Sequence, residues 1–230
     1  MRCGFENHHS PGYAIMHFND ENVYVYTCKN GHKNAVVHQQ EKFELLFESA
    51  SNAIANGYFR EGISSIASSL ERFYEFCLKV FSIDYSITED VFTNAWKNIS
   101  KQSERQLGAF IFLYTFRFGK MPEMMSSSQT EFRNDVIHKG HFPTYEKTIN
   151  YAQAVLNVIY SILKELKTHC NESVEKVIQT RLNKMHKKAF EYTDRPTTIS
   201  TFTIVNIMRK VEYYSSVNFE EHIEKLQKNN

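Results

Sequence analysis

FREGISSIASSLERFYEFCLKV, residues 59 to 80, decides the fold. Phe59, Ile63, Ile66, Leu70, Phe73, Cys77 and Val80 recur at alternating steps of four and three along the whole stretch. At about 100° of rotation per residue, all seven fall on one face of an α-helix, a stripe that other elements must cover. The same period runs outward from it. Phe43, Leu46, Phe47, Ala50 and Ile54 mark a preceding helix that stops at Gly57. Ile149, Ala152, Leu156, Ile159, Leu163 and Leu166 mark a later one opened by Pro143, and Val174, Val177, Ile178, Leu182, Met185 and Ala189 another over 173–190. Thr88, ahead of Glu89 and Asp90, predicts the cap of a helix over 89–99, and Ser103 with Gln106 predicts a capping box for a helix over 104–118. Within the latter, LGAFIFLYTFRF at 107–118 is too short to span a bilayer and contains Arg117, so it reads as a buried helix.

The N-terminus follows a different pattern. YAIMHF, NVYVYT and AVVHQ, between residues 13 and 39, are β-branched and aromatic runs bounded by Asn, Asp and Gly, which predicts a three-stranded meander. At the other end DRPTT, 194–198, interrupts the helical pattern. ISTFTIVNIMRKVEYY and NFEEHIEKLQKNN after it are read as helical, although the first is strand-like in its β-branching. The expected architecture is mainly α: a small β unit at 1–39, an antiparallel helical bundle at 40–170 and a C-terminal helical extension at 171–230.

Composition narrows the function classes. The 27 Lys and Arg nearly cancel the 26 Asp and Glu, so any nucleic-acid site must be local rather than a field of the whole chain. Four scattered cysteines argue for a reducing compartment, and the start lacks both a signal core and an Arg-rich presequence. The expectation is a cytoplasmic protein with no membrane span. No phosphate-cradling Gly loop, dinucleotide fingerprint or hydrolase elbow occurs.

One polar cluster stands out, EFRNDVIHKGHFP at 131–143. Its Arg-x-x-x-x-His spacing is weak by itself: nine Arg and ten His in 230 residues give about 0.4 chance occurrences, and RLNKMH at 181–186 repeats it. Helical geometry adds information. Phe132 and Val136 form a core face, Asn134 and His138 lie together on the opposite side, and Arg133 lies about 140° round from His138. Ile137, apolar on that outward side, calls for a cover, either another helix or a second subunit. Gly140 and Pro143 end the helix directly after His138.

Arg133, Asn134 and His138 followed by Lys-Gly and Pro, after a long helix carrying LERFYEF (70–76) and before another, resemble the HEPN superfamily over roughly residues 40–168. The resemblance implies an all-α bundle, a metal-independent endoribonuclease and a homodimer in which two motifs face each other. It further implies a toxin or abortive-infection effector, with an antitoxin or defence-system protein as partner. The residue types suit the chemistry. His138 supplies a base or acid near neutrality, and Arg133 clamps the phosphate bidentately as charge develops. Asn134 can orient His138, while Lys139 and Glu71 are placed as further RNA-contacting positions. The alternative is a noncatalytic helical module that binds RNA, a nucleotide or a protein through the same face.

Two other groupings are weighed. Cys3, His8, Cys28 and His32 sit at the two ends of the N-terminal unit, and CKNGH resembles one knuckle of a zinc ribbon, which would give a structural zinc in an otherwise coreless unit. Buried free thiols beside a surface His would look the same. Lys164, Lys167, Lys176, Arg181, Lys184, Lys187 and Lys188 make a local positive excess that could guide RNA, or an ordinary solvated helix surface.

Overall fold

The computed structural model describes residues 17–28, 31–215 and 217–229, which form eight α-helices and a three-stranded sheet. The chain divides into two compact units. One takes the described residues up to Glu41 together with Lys176–Phe202; the other takes Lys42–Glu175 together with the described residues from Thr203 onward. The stretch 171–230 is therefore shared between them. No helix among the described residues is long and apolar enough to cross a membrane.

In the larger unit the 59–80 stripe becomes α2, Phe59–Asp84, preceded by α1, Lys42–Ala55. α2 buries Ile63, Ile66, Leu70, Phe73, Cys77 and Val80, as its period requires, and widens to include Tyr74, Phe76, Leu78 and Phe81 in its second half. The widening follows from its neighbours: α2 packs against α1, α4 (Ser103–Phe118), α5 (Ser127–His138) and α6 (Tyr145–His169). Phe43 of α1 meets Phe73 with ring centroids 5.2 Å apart, and Tyr74 meets Phe110 of α4 at 4.7 Å. Burial of each such side chain is worth roughly 1.5–3 kcal/mol. The α1–α2 crossing is close enough to require a glycine: a Cβ on Gly62 would lie 2.4 Å from Cγ1 of Ile54.

Three sequence expectations are corrected here. α4 is not a buried helix: it buries only Gln106, Phe110 and Tyr114, and Phe112 and Phe116 are exposed, because only one of its faces meets α2. No capping box forms at its start. Ser103 is already the first helical residue, and its hydroxyl meets the Glu104 carboxylate at 3.4 Å. α3, Glu89–Ile99, does start after Thr88, though without a side-chain cap bond, and it buries none of its residues.

The third correction concerns 199–214, which is not α-helical. Thr203 to Ile207 run irregular and buried, followed by a 3-10 turn at Val211–Ser215 and α8 at Phe219–Asn229. A buried irregular segment must have its backbone groups satisfied by side chains. Glu44 accepts from the Ile207 amide at 2.8 Å and Glu48 from the Ile204 amide at 3.2 Å. On the other side Tyr160 donates to the Ile204 carbonyl at 2.7 Å, Tyr214 to Asn206 at 2.9 Å and Lys167 to Ile207 at 2.9 Å. Buried Glu44 and half-buried Glu48 of α1 thus lie beside the apolar stripe, where the helical period alone would place solvent.

The smaller unit holds the sheet, in the order β1 (Val23–Thr27), β2 (Lys33–His38), β3 (Thr197–Ile199). β1 and β2 form the expected antiparallel hairpin, with Val23 opposite Val37. Of the expected first strand YAIMHF, residues 13–16 lie outside the described residues, and His17 and Phe18 are not in a strand. The third strand of the described sheet, Thr197–Ile199, adds in parallel on the free edge of β2 and was not expected from the sequence. Val23, Ala35 and Val37 pack on Met185 and Ala189 of α7, Asn171–Ala189. Arg181 is tied to Glu41 at 2.6 Å and to the Gln39 carbonyl, and His186 meets Thr198 at 2.8 Å, so the RLNKMH spacing belongs to structural contacts.

Two measurements follow. Glu44→Ala leaves the buried Ile207 amide without an acceptor and should cost about 2–3 kcal/mol in denaturant unfolding, whereas removal of an exposed acid such as Glu104 should cost under about 0.5. His222 of α8 lies 3.7 Å from Glu48, beyond hydrogen-bond reach, and burial lowers its pKa to about 4, with Lys225 acting in the same direction. Because the folded value lies below the unfolded one, neutral His222 favours folding above about pH 6.5, and that contribution is lost as pH falls toward 4. Burial raises the pKa of Glu48, which works in the opposite sense. Stability should drop on the order of 2 kcal/mol across this window, with most of the slope gone in His222→Gln.

Candidate functional site

The 131–143 cluster forms the end of α5 and the turn after it. Ser126 caps the helix start by accepting from the Gln129 amide at 3.3 Å. At the other end the Asp135 carbonyl takes the amides of both Lys139 and His141, each at 3.2 Å, while Gly140 turns the chain in the left-handed region at φ +71°. Thr144 then caps α6, accepting from Lys147 at 3.3 Å, so Pro143 sits just before the cap and not within the helix.

Val136 is fully buried, as expected. Phe132 is half-buried, its ring 5.8 Å from that of Tyr151 on α6. Arg133, Asn134 and Ile137 are half-buried, and His138, the last helical residue, is exposed. The α-helical backbone keeps Arg133 and His138 about 140° apart, so a single chain does not present them on one face. Asn134 lies on the side of His138 but makes no hydrogen bond to it among the described residues.

Arg133 differs from the other arginines. Arg60, Arg72, Arg117 and Arg181 are ion-paired, to Glu61, Glu75, Asp84 and Glu41. Arg105 donates to the Asn98 carbonyl, and Arg209 lies over the Tyr213 ring. Arg195 is fully exposed. Arg133 is partly buried, and no hydrogen bond or ion pair to its guanidinium is formed among the described residues. A partly desolvated charge in that condition is stabilised by an arriving anion.

Tyr151 was not legible as a neighbour of the motif. Burial pushes its phenol up to about 12; the charge of Arg133 acts to lower that value and that of Glu71, on α2, to raise it. Tyr151 therefore stays protonated through the neutral range, in a setting influenced by both Arg133 and Glu71. Of the other sequence candidates, Lys139 is held by Asp135 at 2.7 Å in an exposed pair, which raises the Lys139 pKa and lowers that of Asp135. Several lysine-run positions are also engaged: Lys167 on the Ile207 carbonyl, Arg181 on Glu41 and Lys188 on Glu21.

In the hairpin turn, Cys28 Sγ and His32 Nδ1 converge to 3.6 Å, and the Cys28 amide donates to the His32 carbonyl at 3.0 Å. Cys3 and His8 lie outside the described residues. Among those described, no group of three or more His, Cys, Asp or Glu side chains could hold a metal ion. A cavity of about 780 Å³ in the larger unit is lined by Gln153, Asn157, Ser161 and Lys164 of α6 and by Tyr214 and Asn218; none of the motif residues line it. No protein-family model, curated protein or solved structure matches this chain.

The helix end itself can be tested. Gly140→Ala places a Cβ in the left-handed region and should lower stability by about 1 kcal/mol, with no clash to relieve, since nothing lies within 4 Å of that Cβ.

Proposed function

We propose that the chain is a HEPN-type, metal-independent endoribonuclease, with Arg133 as the phosphate clamp and His138 as the general acid or base. The observation that carries this reading is the unpaired, partly buried guanidinium of Arg133 at the exposed helix end that also bears His138. A phosphodiester is the anion whose two free oxygens match a guanidinium fork, and an imidazole is the group that moves a proton near neutrality. The helix end helps little by itself, because a C-terminal dipole favours cations, not phosphate. Arg133 must therefore carry the anion binding.

The 140° between Arg133 and His138 gives the second copy a chemical purpose. In a homodimer whose motif helices face each other, Arg133 of one chain and His138 of the other can address the same phosphate, and Ile137 loses its remaining exposure. Asn134 lines the same side of α5 as His138 and is the natural contact for a ribose or base edge. Tyr151, buried and protonated, lies within electrostatic reach of Arg133 and acts on a bound phosphate through that guanidinium. A role as toxin or antiviral effector, with an antitoxin or defence-system partner, belongs to this reading through the HEPN resemblance. The second reading, a noncatalytic module that binds RNA, a nucleotide or a protein, is favoured by one observation: no described residue hydrogen-bonds to His138 and fixes its ring.

Purified protein incubated with total RNA in EDTA should show cleavage. Arg133→Ala and His138→Ala should each reduce the rate at least about 100-fold with melting temperatures near wild type, and Tyr151→Phe about 10-fold. A wild-type protein that binds RNA without cutting it would select the noncatalytic module. We also propose a structural zinc held by Cys3, His8, Cys28 and His32. One metal equivalent per chain, lost in Cys28→Ser, is the expected result of elemental analysis, and a folded metal-free hairpin would refute it.

A further inference from the structure

We propose that the outward face of α4 is the surface through which two copies of this chain pair about a two-fold axis. While Gln106, Phe110 and Tyr114 turn inward, the opposite face carries Glu104, Gly108, Phe112 and Phe116, four residues apart along one ridge. Phe112 is 67% and Phe116 77% exposed, their ring centroids 6.4 Å apart, and Met121 beyond them is 62% exposed. Large aromatic side chains left in water this way mark a contact surface. Gly108 is a notch in the same ridge: nothing lies within 4 Å of where its Cβ would be. The adjoining helix α3 buries none of its residues and leaves Val91 57% exposed.

The choice of a second copy as occupant comes from the order of these residues. Reversing the ridge about Phe112 sets Phe112 against its own counterpart and Phe116 of each copy over the Gly108 notch of the other. One helix thus supplies both knob and hole, which is what an isologous two-fold contact requires. Packing of i±4 ridges into one another is the commonest helix crossing, and glycine permits the close approach it needs. The reversed helices also oppose their dipoles, and a formal net charge of +1 leaves little long-range repulsion between copies. At about 150–250 Å² for a whole ring, of which 67% and 77% is still exposed at Phe112 and Phe116, the four phenylalanines of two copies supply roughly a third of the area of a standard interface.

This inference is argued from α4 itself and rests on the proposed function only for the purpose a dimer would serve. Sedimentation at micromolar concentration should give twice the 27.0 kDa chain mass for the whole protein. Phe112→Lys and Gly108→Phe should each weaken self-association at least about 100-fold. Because the Gly108 position is open, the second variant should keep the wild-type circular dichroism and melting temperature. Phe112→Cys, which places a thiol on the axis, should give a disulfide-linked dimer under mild oxidation that wild type does not. A wild-type monomer that still cleaves RNA would overturn both the pairing and the shared-site arrangement, while the ribonuclease activity itself would stand. A dimer abolished by Ile137→Lys but untouched by Phe112→Lys would move the contact to α5. A monomer whose Phe112 and Phe116 are needed to bind lipid vesicles would assign the face to a membrane surface, also overturning the pairing.

Discussion

The apolar stripe of α2 has to be covered along its length, and α1, α4, α5 and α6 cover it. Each of those helices is fixed by what it gives to that stripe: Phe43 from α1, Phe110 and Tyr114 from α4, and a fully buried Val136 from α5. Gly62 sets how close the first of them can come. What remains on the far side of each helix is then available for other work. On α5 that is Asn134, Ile137 and His138; on α4 it is Phe112 and Phe116. The placement of the candidate site and of the candidate dimer surface both follow from the same packing.

Electrostatics separates structural charges from available ones. Glu44 and Glu48 anchor backbone amides of the 203–207 segment, Arg117 is locked to Asp84 at 2.5 Å, and Arg181 is locked to Glu41. Removing one member of such a pair leaves the other partly buried and uncompensated, so these residues hold the fold. Arg133 has no such partner among the described residues. Its partial desolvation beside Tyr151 costs free energy that a bound phosphate would return, and this is the physical core of the ribonuclease reading.

Much of this could be read in the sequence, for identifiable reasons. The 59–80 stripe, the hairpin of NVYVYT and AVVHQ, and the helix end at Gly140 are local patterns, and local patterns survive into the fold. The outer face of α4 was not legible, because a helix apolar on most sides gives no hint of which side its neighbours cover. The buried course of 203–207 depends on carboxylates some 160 positions earlier, and the strand on the free edge of β2 comes from beyond α7. For the candidate site, Arg133, Asn134 and His138 were found by motif, but that Arg72, Arg117 and Arg181 are taken up in ion pairs while Arg133 is not appears only in the fold. Tyr151 belongs to a different helix, so its closeness to the motif is tertiary information.

The chemistry of the cleaved ends tests the central claim most directly. Attack by a 2′-hydroxyl, with His138 moving the proton and Arg133 holding the phosphate, leaves a 2′,3′-cyclic phosphate on the upstream fragment and cannot act at a 2′-deoxynucleotide. Mass spectrometry of products from an RNA oligonucleotide, digested in EDTA beside a copy with a single deoxy substitution at the cut site, reads both consequences together. The account predicts a cyclic phosphate end from the first and no cut in the second. A 3′-hydroxyl end, or equal cleavage of the substituted strand, would contradict it.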